Sequence, residues 1–564
     1  MAREKGQPHA LTREEPQGQD QRGSPRSLPR WLALAGLVLV NLALALWGID
    51  HGLPRVYNPD ERLHFVPKAV DFFGTGDLDP DYYLNPPGFT YLLYGVYWAW
   101  FRSGANVLAA EWKELFLVGR VTAAMLGGLA VVLVYAVGKR LFDTRVGLAA
   151  AAVMAVAFLP VYQAKLALND VPVLVPVCLA LLGAAGILRS GRWLDYALAG
   201  AGVGLAIGTK YTAGMVLAPA ATAAVIDLIR RRGRAIPAIG TGIFCAVAGF
   251  AIAVPYSVLD PPKFFESLGV FSVSPPESRK LGQENVNGIL QYLWVFTWGL
   301  GWLPSLTAVG GAVAMVRRNL VTSAILIPGP VLFILFMGIR GGFLSRYMLP
   351  AFPFLALLAA YGLSEFARAI SGGRIRVMTG VILVGALALM AQSVIHDVHI
   401  GLVHTKKNTR EIALRWMRAN IPERAAVAIE PFYISPRDPP SASHPREDPA
   451  ERSPWRLYPW DPDYLPSLEP GILDEFEERG VCWVVIGHTQ RGRASNEPRR
   501  LADAIAFYDE LEERGDLVHE VSPYTQGADP VPFDFDWSIN HYPLAYERPG
   551  LEIDVYRLRA GGCS

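Results

Sequence analysis

The sequence predicts a polytopic α-helical membrane protein with a C-terminal extracytoplasmic α/β domain. Of its 564 residues, 52% are hydrophobic, and the mean hydropathy is +0.25. Only 18% of the residues are charged, against about 25% in soluble domains. The charges concentrate at the two ends of the chain, and long stretches between residues 31 and 395 carry almost none. The net charge of +1 excludes the global basic field that would favour nucleic acid as a partner.

Eleven apolar stretches are long enough to cross a bilayer, whose core of about 30 Å needs about 20 residues of helix. Backbone amides in lipid must be paired within their own segment, so we predict that each stretch is helical. The predicted spans are residues 31–50, 115–138, 146–163, 171–188, 193–209, 211–229, 235–256, 288–316, 320–339, 347–367 and 377–395. The first follows a basic segment, residues 1–30, and ends without an obvious cleavage site, which favours an anchor over a removable signal peptide.

The orientation follows from the short loops, because Lys and Arg accumulate on the cytoplasmic side. Every second connection is basic, and these five loops are residues 139–145, 189–192, 230–234, 317–318 and 368–376. We therefore predict a multi-pass protein of the plasma (inner) membrane, with segment 1–30 cytoplasmic, a membrane domain over 31–395 and a soluble domain over 396–564 outside. The apolar run 86–101 is predicted as a re-entrant or interfacial helix within the external loop 51–114, because one more crossing would reverse the alternation.

The soluble domain has short helical and strand signals but no catalytic motif. Residues 409–420 have helical periodicity, and residues 425–429, 481–486 and 553–558 are typical of short buried strands. Ten prolines between residues 436 and 470 exclude regular structure there and predict a long surface loop.

Ionisable residues gather at the predicted external ends of the spans, where their placement is informative because charges near lipid are costly. Asp60 and Glu61 follow the first span, and a solvated pair of loop carboxylates is the alternative reading. Asp170 precedes the fourth span, where helix capping is the alternative. Capping does not account for Lys165 nearby.

Cations accompany these acids. Arg120 lies five residues into the second span, and a snorkelling side chain is the alternative there. Lys210 falls between two spans with almost no connection, and Arg340 and Arg346 bracket the turn between the ninth and tenth spans. Arginine suits a lipid phosphate at the interface, and a nearby carboxylate can take a proton from an attacking hydroxyl. This layout suits glycosyl transfer from a polyprenyl phosphate sugar.

Several of these segments resemble the GT-C superfamily of membrane glycosyltransferases, especially bacterial relatives of protein O-mannosyltransferases and aminoarabinose transferases (glycosyltransferase family 39). The resemblance rests on Asp60-Glu61, Asn85-Pro86-Pro87-Gly88, residues 165–172, residues 204–211 ending in Thr-Lys-Tyr, and residues 411–430 of the soluble domain.

The resemblance implies an inverting transfer in which a polyprenyl phosphate leaves as an acceptor oxygen attacks. It implies that Asp60 is the general base, that Glu61 supports binding of acceptor or donor, and that Arg120 holds the lipid-linked phosphate. Asp170 corresponds to the second acidic position of the family, which shapes the site from the connection between the third and fourth spans. Two positions depart from the family pattern: Asn85 stands where relatives often have Lys or His, and Lys165 where an arginine is common. The residues expected to bind substrate are therefore Glu61, Asn85, Arg120, Lys165, Asp170, Lys210 and Arg346.

The implied partners are the lipid-linked donor and an acceptor protein, glycolipid or polysaccharide. No cofactor is expected, although Glu61 with His64, or the histidines at 396, 399 and 404, leave a divalent metal open as a minor alternative.

A transporter or flippase is the main competing function, and an ammonium of Lys210 inside the helix bundle would favour it. A catalytically silent protein of the same fold is the other, and uncharged Asn85 would favour it.

Overall fold

The computed structural model describes residues 28–273, 282–283, 286–340, 343–430, 453–460 and 464–559. The predicted basic segment 1–30 lies outside these residues except for its last three positions. Much of the predicted proline-rich loop, residues 436–470, lies outside them as well.

Helices dominate the described residues up to His404. They are α1 (Leu28–Leu46), α2 (Val66–Thr75), α3 (Gly88–Phe101), α4 (Gly104–Ala109), α5 (Trp112–Leu141), α6 (Thr144–Ala155), α7 (Phe158–Gln163), α8 (Leu174–Arg189), α9 (Trp193–Thr209), α10 (Leu217–Arg230), α11 (Ile236–Ala253), α12 (Tyr256–Leu259), α13 (Pro261–Val273), α14 (Gly288–Phe296), α15 (Trp302–Arg318), α16 (Leu320–Leu326), α17 (Pro328–Ile339), α18 (Phe352–Ser371) and α19 (Ile375–His404). Residues Glu61–Phe65 and Thr297–Gly301 form π-helical turns, and Tyr211–Val216 and Ser345–Ala351 form 3-10 turns.

Within the described residues, seven helical segments are long and apolar enough to cross a membrane. They are Trp112–Leu141, Tyr211–Arg230, Ile236–Ala253, Gly288–Arg318, Leu320–Ile339, Ser345–Ser371 and Ile375–Asn420. Three more apolar helices are shorter, namely Arg30–Leu46, Thr144–Ala155 and Leu174–Arg189. The number of eleven spans and their orientation stay predictions.

Several of the predicted spans differ in limits or continuity from the helices observed, among them 146–163 and 377–395. The run 146–163 is divided into α6 and α7, since the helix stops after Ala155 and restarts at Phe158, two residues before Pro160. At the other end of the domain, α19 continues to His404, nine residues past the predicted limit of its span. The predicted re-entrant segment contains α3, whose 14 residues are about 21 Å long and so shorter than a bilayer core.

The C-terminal region is a small α/β domain with one five-stranded mixed sheet. Its helices are α20 (Thr409–Asn420), α21 (Tyr464–Ser467), α22 (Ile472–Glu478), α23 (His488–Asn496), α24 (Ala502–Arg514) and α25 (Trp537–Asn540), and its strands are β1 (Ala426–Ile429), β2 (Arg456–Leu457), β3 (Val481–Gly487), β4 (Gly515–Val521) and β5 (Ile553–Leu558). The strand order is β2-β1-β3-β5-β4, with β1 parallel to β2 and β3, and β5 antiparallel to β3 and β4. The sequence predicted α20, β1, β3 and β5 but neither edge strand.

A segment of this domain packs into the helical domain. Trp537 lies on Trp298, with ring centroids 4.6 Å apart, and Tyr542 and Tyr546 belong to the main apolar core of the helical domain. His399 on α19 lies 3.1 Å from the carbonyl oxygen of Pro543. The soluble domain is thereby tied to the same helices that carry the candidate site described below.

His488, at the start of α23, lies between two carboxylates, that of Glu552 just before β5 and that of Asp554 on β5. Its Nδ1 is 2.8 Å from Oε2 of Glu552, and its Nε2 is 2.9 Å from Oδ2 of Asp554. Burial disfavours the imidazolium, but the hydrogen bonds to Asp554 and Glu552 outweigh burial and raise the pKa of His488 to about 9. A raised histidine pKa stabilises the fold at pH values below the unfolded pKa of about 6.5.

This contribution should be lost as the pH rises through about 9, so the thermal unfolding temperature of the full chain should fall between pH 6.5 and 9.5. His488→Gln should show a flatter pH dependence in the same window. His519→Gln is the matched control, because burial lowers the pKa of His519 and so moves its titration away from this window. Equal pH slopes in His488→Gln and the wild type would contradict the prediction.

Candidate active site

The adjacent acids Asp60 and Glu61 open the first long loop and diverge into different surroundings. The side-chain oxygen of Asn58 accepts hydrogen bonds from the backbone amides of both residues, at 3.0 and 3.1 Å, which fixes the start of the π-helical turn Glu61–Phe65. Consecutive helical residues project about 100° apart. As a result, the Glu61 side chain is fully buried, whereas that of Asp60 is 38% exposed.

Glu61 forms a bidentate ion pair with Arg120 of α5, and we call these two residues the anchor pair. Arg120 Nε and Nη2 donate to the two carboxylate oxygens at 2.7 and 2.8 Å. Arg120 Nη1 donates to the carbonyl oxygens of Ile49 and His51, and the amide of Ala167 donates to Glu61. The anchor pair thus joins the first loop, α5, the end of α1 and the α7–α8 connection.

The anchor pair is inaccessible in this conformation, since the Arg120 side chain is only 1% exposed and donates four hydrogen bonds within the protein. This geometry does not favour Arg120 as the phosphate ligand that the sequence predicts. It assigns Arg120 and Glu61 a structural part, because a fully paired guanidinium would have to leave a buried carboxylate to reach a substrate.

Lys165 also has a structural environment. Its ammonium donates to the carbonyl oxygens of Leu44 at 2.5 Å and Trp47 at 2.6 Å, and the side chain is fully buried. These carbonyls end α1 and the turn after it, where a cation satisfies unpaired acceptors and interacts favourably with the helix dipole. Lys165, whose presence helix capping by Asp170 did not explain, therefore caps the C-terminal end of α1.

Asp60, Asp170, Lys210 and Arg346 form a cluster with the ring of Tyr347, and we call these five residues the ionic cluster. Arg346 donates to the Asp60 carboxylate, and Lys210 donates to that of Asp170. The Lys210 ammonium lies 5.1 Å and the Arg346 guanidinium 5.9 Å from the centroid of the Tyr347 ring. The ring thus lies beside both ion pairs, and a cation over an aromatic face is stabilised by it.

Three connections deliver these side chains to one place. Asp60 begins the π-helical turn, Lys210 lies between α9 and the turn Tyr211–Val216, and Arg346 is in the turn Ser345–Ala351. The side-chain amide of Asn169 donates to the carbonyl oxygen of Thr209 at 2.7 Å, which holds Asp170 beside Lys210.

The first loop closes over the end of α9 through a very near approach of backbones. A Cβ atom at Gly88 would lie 2.5 Å from the carbonyl oxygen of Gly208, so no larger residue fits there without a shift. Tyr211 donates to the carbonyl oxygen of Tyr83 at 2.9 Å in the same region. These contacts place the Asn-Pro-Pro-Gly motif of the sequence next to the segment that carries Lys210.

Asn85 has an aromatic neighbourhood beside the ionic cluster. Its side-chain amide lies 3.4 Å from the hydroxyl oxygen of Tyr82, whose ring stacks on that of His64 with centroids 4.4 Å apart. Burial lowers the pKa of His64, and the nearby Asp60 carboxylate opposes that effect. Burial likewise raises the pKa of Tyr82, with Asp60 adding to it. Burial therefore opposes protonation of the imidazole and ionisation of the phenol that border Asp60.

The C-terminal domain reaches the ionic cluster through Asp536. The Asp536 carboxylate accepts a hydrogen bond of 2.7 Å from the backbone amide of Ser345, and His541 Nε2 lies 3.4 Å from the Ser345 hydroxyl oxygen. Ser345 immediately precedes Arg346, so Asp536 fixes the start of the turn that presents the guanidinium. Asp534 in turn accepts from the amides of Asp536 and Trp537.

No group of three or more His, Cys, Asp or Glu side chains that could hold a metal ion occurs in the part of the chain that the structure describes. The predicted histidine cluster after the last span is divided among other contacts. His404 stacks on His51 with centroids 3.7 Å apart, and His396 packs against Phe158. Independence from a metal stays a prediction.

Of the predicted site residues, the structure brings Asp60, Asp170, Lys210 and Arg346 together and places Asn85 beside them. It places Glu61 and Arg120 in the buried anchor pair, and Lys165 in buried contacts with the end of α1. The sequence analysis did not single out Tyr82 or Tyr347 and gave no role to Asp536. Tyr347 adjoins Arg346 at the external end of a predicted span, a position where aromatic residues are common, and this was the one available signal. Chemically, the ionic cluster offers two carboxylates and two cations, of which Asp60 is the most accessible.

Comparisons with known proteins agree with this fold. The family model of dolichyl-phosphate-mannose-protein mannosyltransferases matches residues 96–256, which include Arg120, Lys165, Asp170 and Lys210. Comparison with curated protein sequences finds no match. Among solved structures, ArnT from Cupriavidus metallidurans in the apo state aligns over 82% of this chain and 94% of its own, with 16% identity and a TM-score of 0.51.

An oligosaccharyltransferase from Archaeoglobus fulgidus in the apo form aligns over 91% of this chain and 75% of its own, with 14% identity and a TM-score of 0.51. The same enzyme tethered to an acceptor peptide containing the NVT sequon aligns with 13% identity over the same shares and a TM-score of 0.50. The chain therefore has the fold of the GT-C membrane glycosyltransferases, which confirms both the fold class and the resemblance predicted from sequence.

Proposed function

We propose that the protein is an inverting glycosyltransferase that moves a hexosyl or pentosyl group from a polyprenyl-phosphate-linked donor to an acceptor hydroxyl at the extracytoplasmic face of the membrane. The observation that carries the proposal is the ionic cluster, in which a partly exposed carboxylate, Asp60, is paired with a cation, Arg346. The family model, whose description names a dolichyl phosphate sugar donor and a protein acceptor, and the oligosaccharyltransferase tethered to an acceptor peptide support a lipid phosphate donor and an acceptor of the protein class, while a glycolipid or polysaccharide acceptor stays an alternative.

In the proposed reaction, the acceptor oxygen attacks the anomeric carbon while Asp60 takes the hydroxyl proton. The bond between the anomeric carbon and the phosphate oxygen breaks, and its electron pair stays on the phosphate. The donor is a phosphodiester with one negative charge, and the released monoester approaches two at neutral pH, because its second pKa is about 6. Arg346 and Lys210 are the residues that would hold this phosphate.

Arg346 links the two halves of that reaction. While Asp60 is ionised, Arg346 donates to it. Proton uptake removes the charge of Asp60 just as the leaving phosphate gains charge, so the guanidinium is released toward the phosphate when it is most needed. Charge-assisted hydrogen bonds from Arg to phosphate are stronger than neutral ones, and they stabilise charge that develops in the transition state.

Arg346→Gln should weaken the binding of undecaprenyl phosphate to the purified protein about 10- to 100-fold, the effect of losing a hydrogen bond to a charged group. Binding of the uncharged prenol should be unchanged, since it has no phosphate to contact. The measurement is native mass spectrometry of the protein titrated with each lipid. Arg340→Gln, which removes an exposed arginine from the same connection, is the control and should bind both lipids as the wild type does.

The same preparation tests the activity itself. Wild-type protein should release polyprenyl phosphate from a sugar-linked donor in the presence of a membrane extract that supplies acceptors. Equal phosphate binding by Arg346→Gln and the wild type would remove Arg346 from the donor site. Movement of the intact donor across a vesicle membrane, without release of polyprenyl phosphate, would favour the transporter or flippase instead.

A further inference from the structure

A second polar feature lies at the opposite end of α5 from Arg120, about 28 Å away along the helix. It is a cavity of about 330 Å³ whose polar wall consists of Lys139, Arg140 and Arg189. Trp31 of α1 and Tyr135 of α5 form its aromatic wall. We call it the basic cavity, and it is separate from the ionic cluster.

The basic cavity has an excess of positive charge. Arg140 is neutralised by an ion pair with Asp195 on α9 and also lies 3.3 Å from the carbonyl oxygen of Leu182. Lys139 and Arg189 are exposed, and no carboxylate is among the described residues that line the cavity. An occupant with a single anionic group would therefore be held by two cations.

The aromatic wall is typical of a membrane interface. Trp31 is 52% exposed, and its ring meets that of Tyr135 edge-on with centroids 6.2 Å apart. The Lys139 ammonium lies 5.9 Å from the centroid of the same Tyr135 ring. Tryptophan and tyrosine prefer the level of the lipid headgroups, where one side of the ring is apolar and the other is wet.

An exposed apolar stripe on α5 leads to the basic cavity. Val121, Met125 and Leu129 are exposed, and the stripe continues through Val132 and Ala136, which line the cavity. Spacings of three and four residues keep these side chains on one face of the helix. The ten-residue separation between Leu129 and Lys139 covers about 15 Å, which is half of a bilayer core of about 30 Å and so the depth of one leaflet. This part of the surface has the length and polarity of one lipid molecule.

We propose that this surface binds one anionic phospholipid, with the headgroup phosphate between Lys139 and Arg189 and an acyl chain along the α5 stripe. The apolar stripe favours a lipid over a free anion, and the two cations favour an anionic headgroup over a zwitterionic one. The site does not depend on the proposed transferase activity, since it lies a helix length from Asp60 and Arg346.

Native mass spectrometry of the full-length protein in detergent, titrated with phosphatidylglycerol or with phosphatidylcholine of the same acyl chains, tests the proposal. The wild type should bind the first phosphatidylglycerol more tightly than the first phosphatidylcholine. The double variant Lys139→Gln/Arg189→Gln should bind phosphatidylglycerol about 30-fold more weakly, at roughly a factor of five for each cation, and should bind phosphatidylcholine unchanged. Arg140 is kept in this variant because it holds Asp195.

The double variant Arg317→Gln/Arg376→Gln is the matched control, since it removes two exposed cations from other loops of the predicted basic face. It should keep the preference for phosphatidylglycerol. Equal losses in both double variants would reduce the effect to general surface charge and overturn the site. Equal binding of the two lipids by the wild type would overturn it too, and so would displacement of the lipid by millimolar inorganic phosphate, which would indicate a site for a free anion.

Discussion

Replacing Asp60 by asparagine should lower the rate of sugar transfer about 10²- to 10⁴-fold, the usual contribution of a general base. Asparagine keeps the size of the side chain but cannot accept the proton of the attacking hydroxyl. The measurement is the initial rate of polyprenyl phosphate release from a sugar-linked donor at saturating acceptor. Binding of polyprenyl phosphate should persist or strengthen, because Arg346 no longer donates to an ionised carboxylate at residue 60.

This separation of rate from binding distinguishes a base from a donor-binding residue. Asp71→Asn is the matched control, because Asp71 is an exposed aspartate in the same loop, on α2, and its replacement should leave the rate unchanged. Transfer by Asp60→Asn at the wild-type rate would remove the proposed base. The neighbouring imidazole of His64 would then be the next candidate to take the proton, since burial favours its neutral form and lowers its pKa.

Arg120→Met should destabilise the fold severely, by about 3–5 kcal/mol, because it leaves the carboxylate of Glu61 buried without a counter-charge. It also removes the donors to the carbonyl oxygens of Ile49 and His51. We expect a markedly lower thermal unfolding temperature in detergent, together with a lower yield of folded protein. Unfolding followed by intrinsic tryptophan fluorescence would measure the change.

The compensating variant makes this test specific. Arg120→Met/Glu61→Gln removes both charges, and glutamine can still accept the hydrogen bond of the Ala167 amide, so part of the lost stability should return. If Arg120 instead held the lipid phosphate, as the sequence suggested, the single variant would unfold like the wild type and fail to bind polyprenyl phosphate.

The apolar helices and the buried strands were predictable because their hydrophobic patterns are local. The helix α20 and the strands β1, β3 and β5 follow from periodicity in windows of four to twelve residues. β2 has two residues and is too short for a pattern. β4 is an edge strand whose exposed positions carry charged residues such as Asp516 and Glu520, so its sequence lacks a buried run.

The candidate site was predictable in its residue types but not in its pairings. Arg120 and Arg346 both stand near predicted external ends of spans, and sequence alone could not tell which one meets a buried acid. The partner of Arg120 lies 59 residues away and that of Arg346 lies 286 residues away. Such contacts are set by helix packing, which hydropathy does not specify. The same reason hid Asp536, whose contact with Ser345 joins two domains.

That contact has a consequence for the order in which the protein is made. The Asp536 carboxylate leaves the ribosome 191 residues after the Ser345 amide that it binds. At about 5–20 residues per second, that interval is roughly 10–40 s. For this time the guanidinium of the adjacent Arg346 lacks its final support, so a nascent chain whose helices have already formed is not yet equipped to act on the proposed lipid-linked donor.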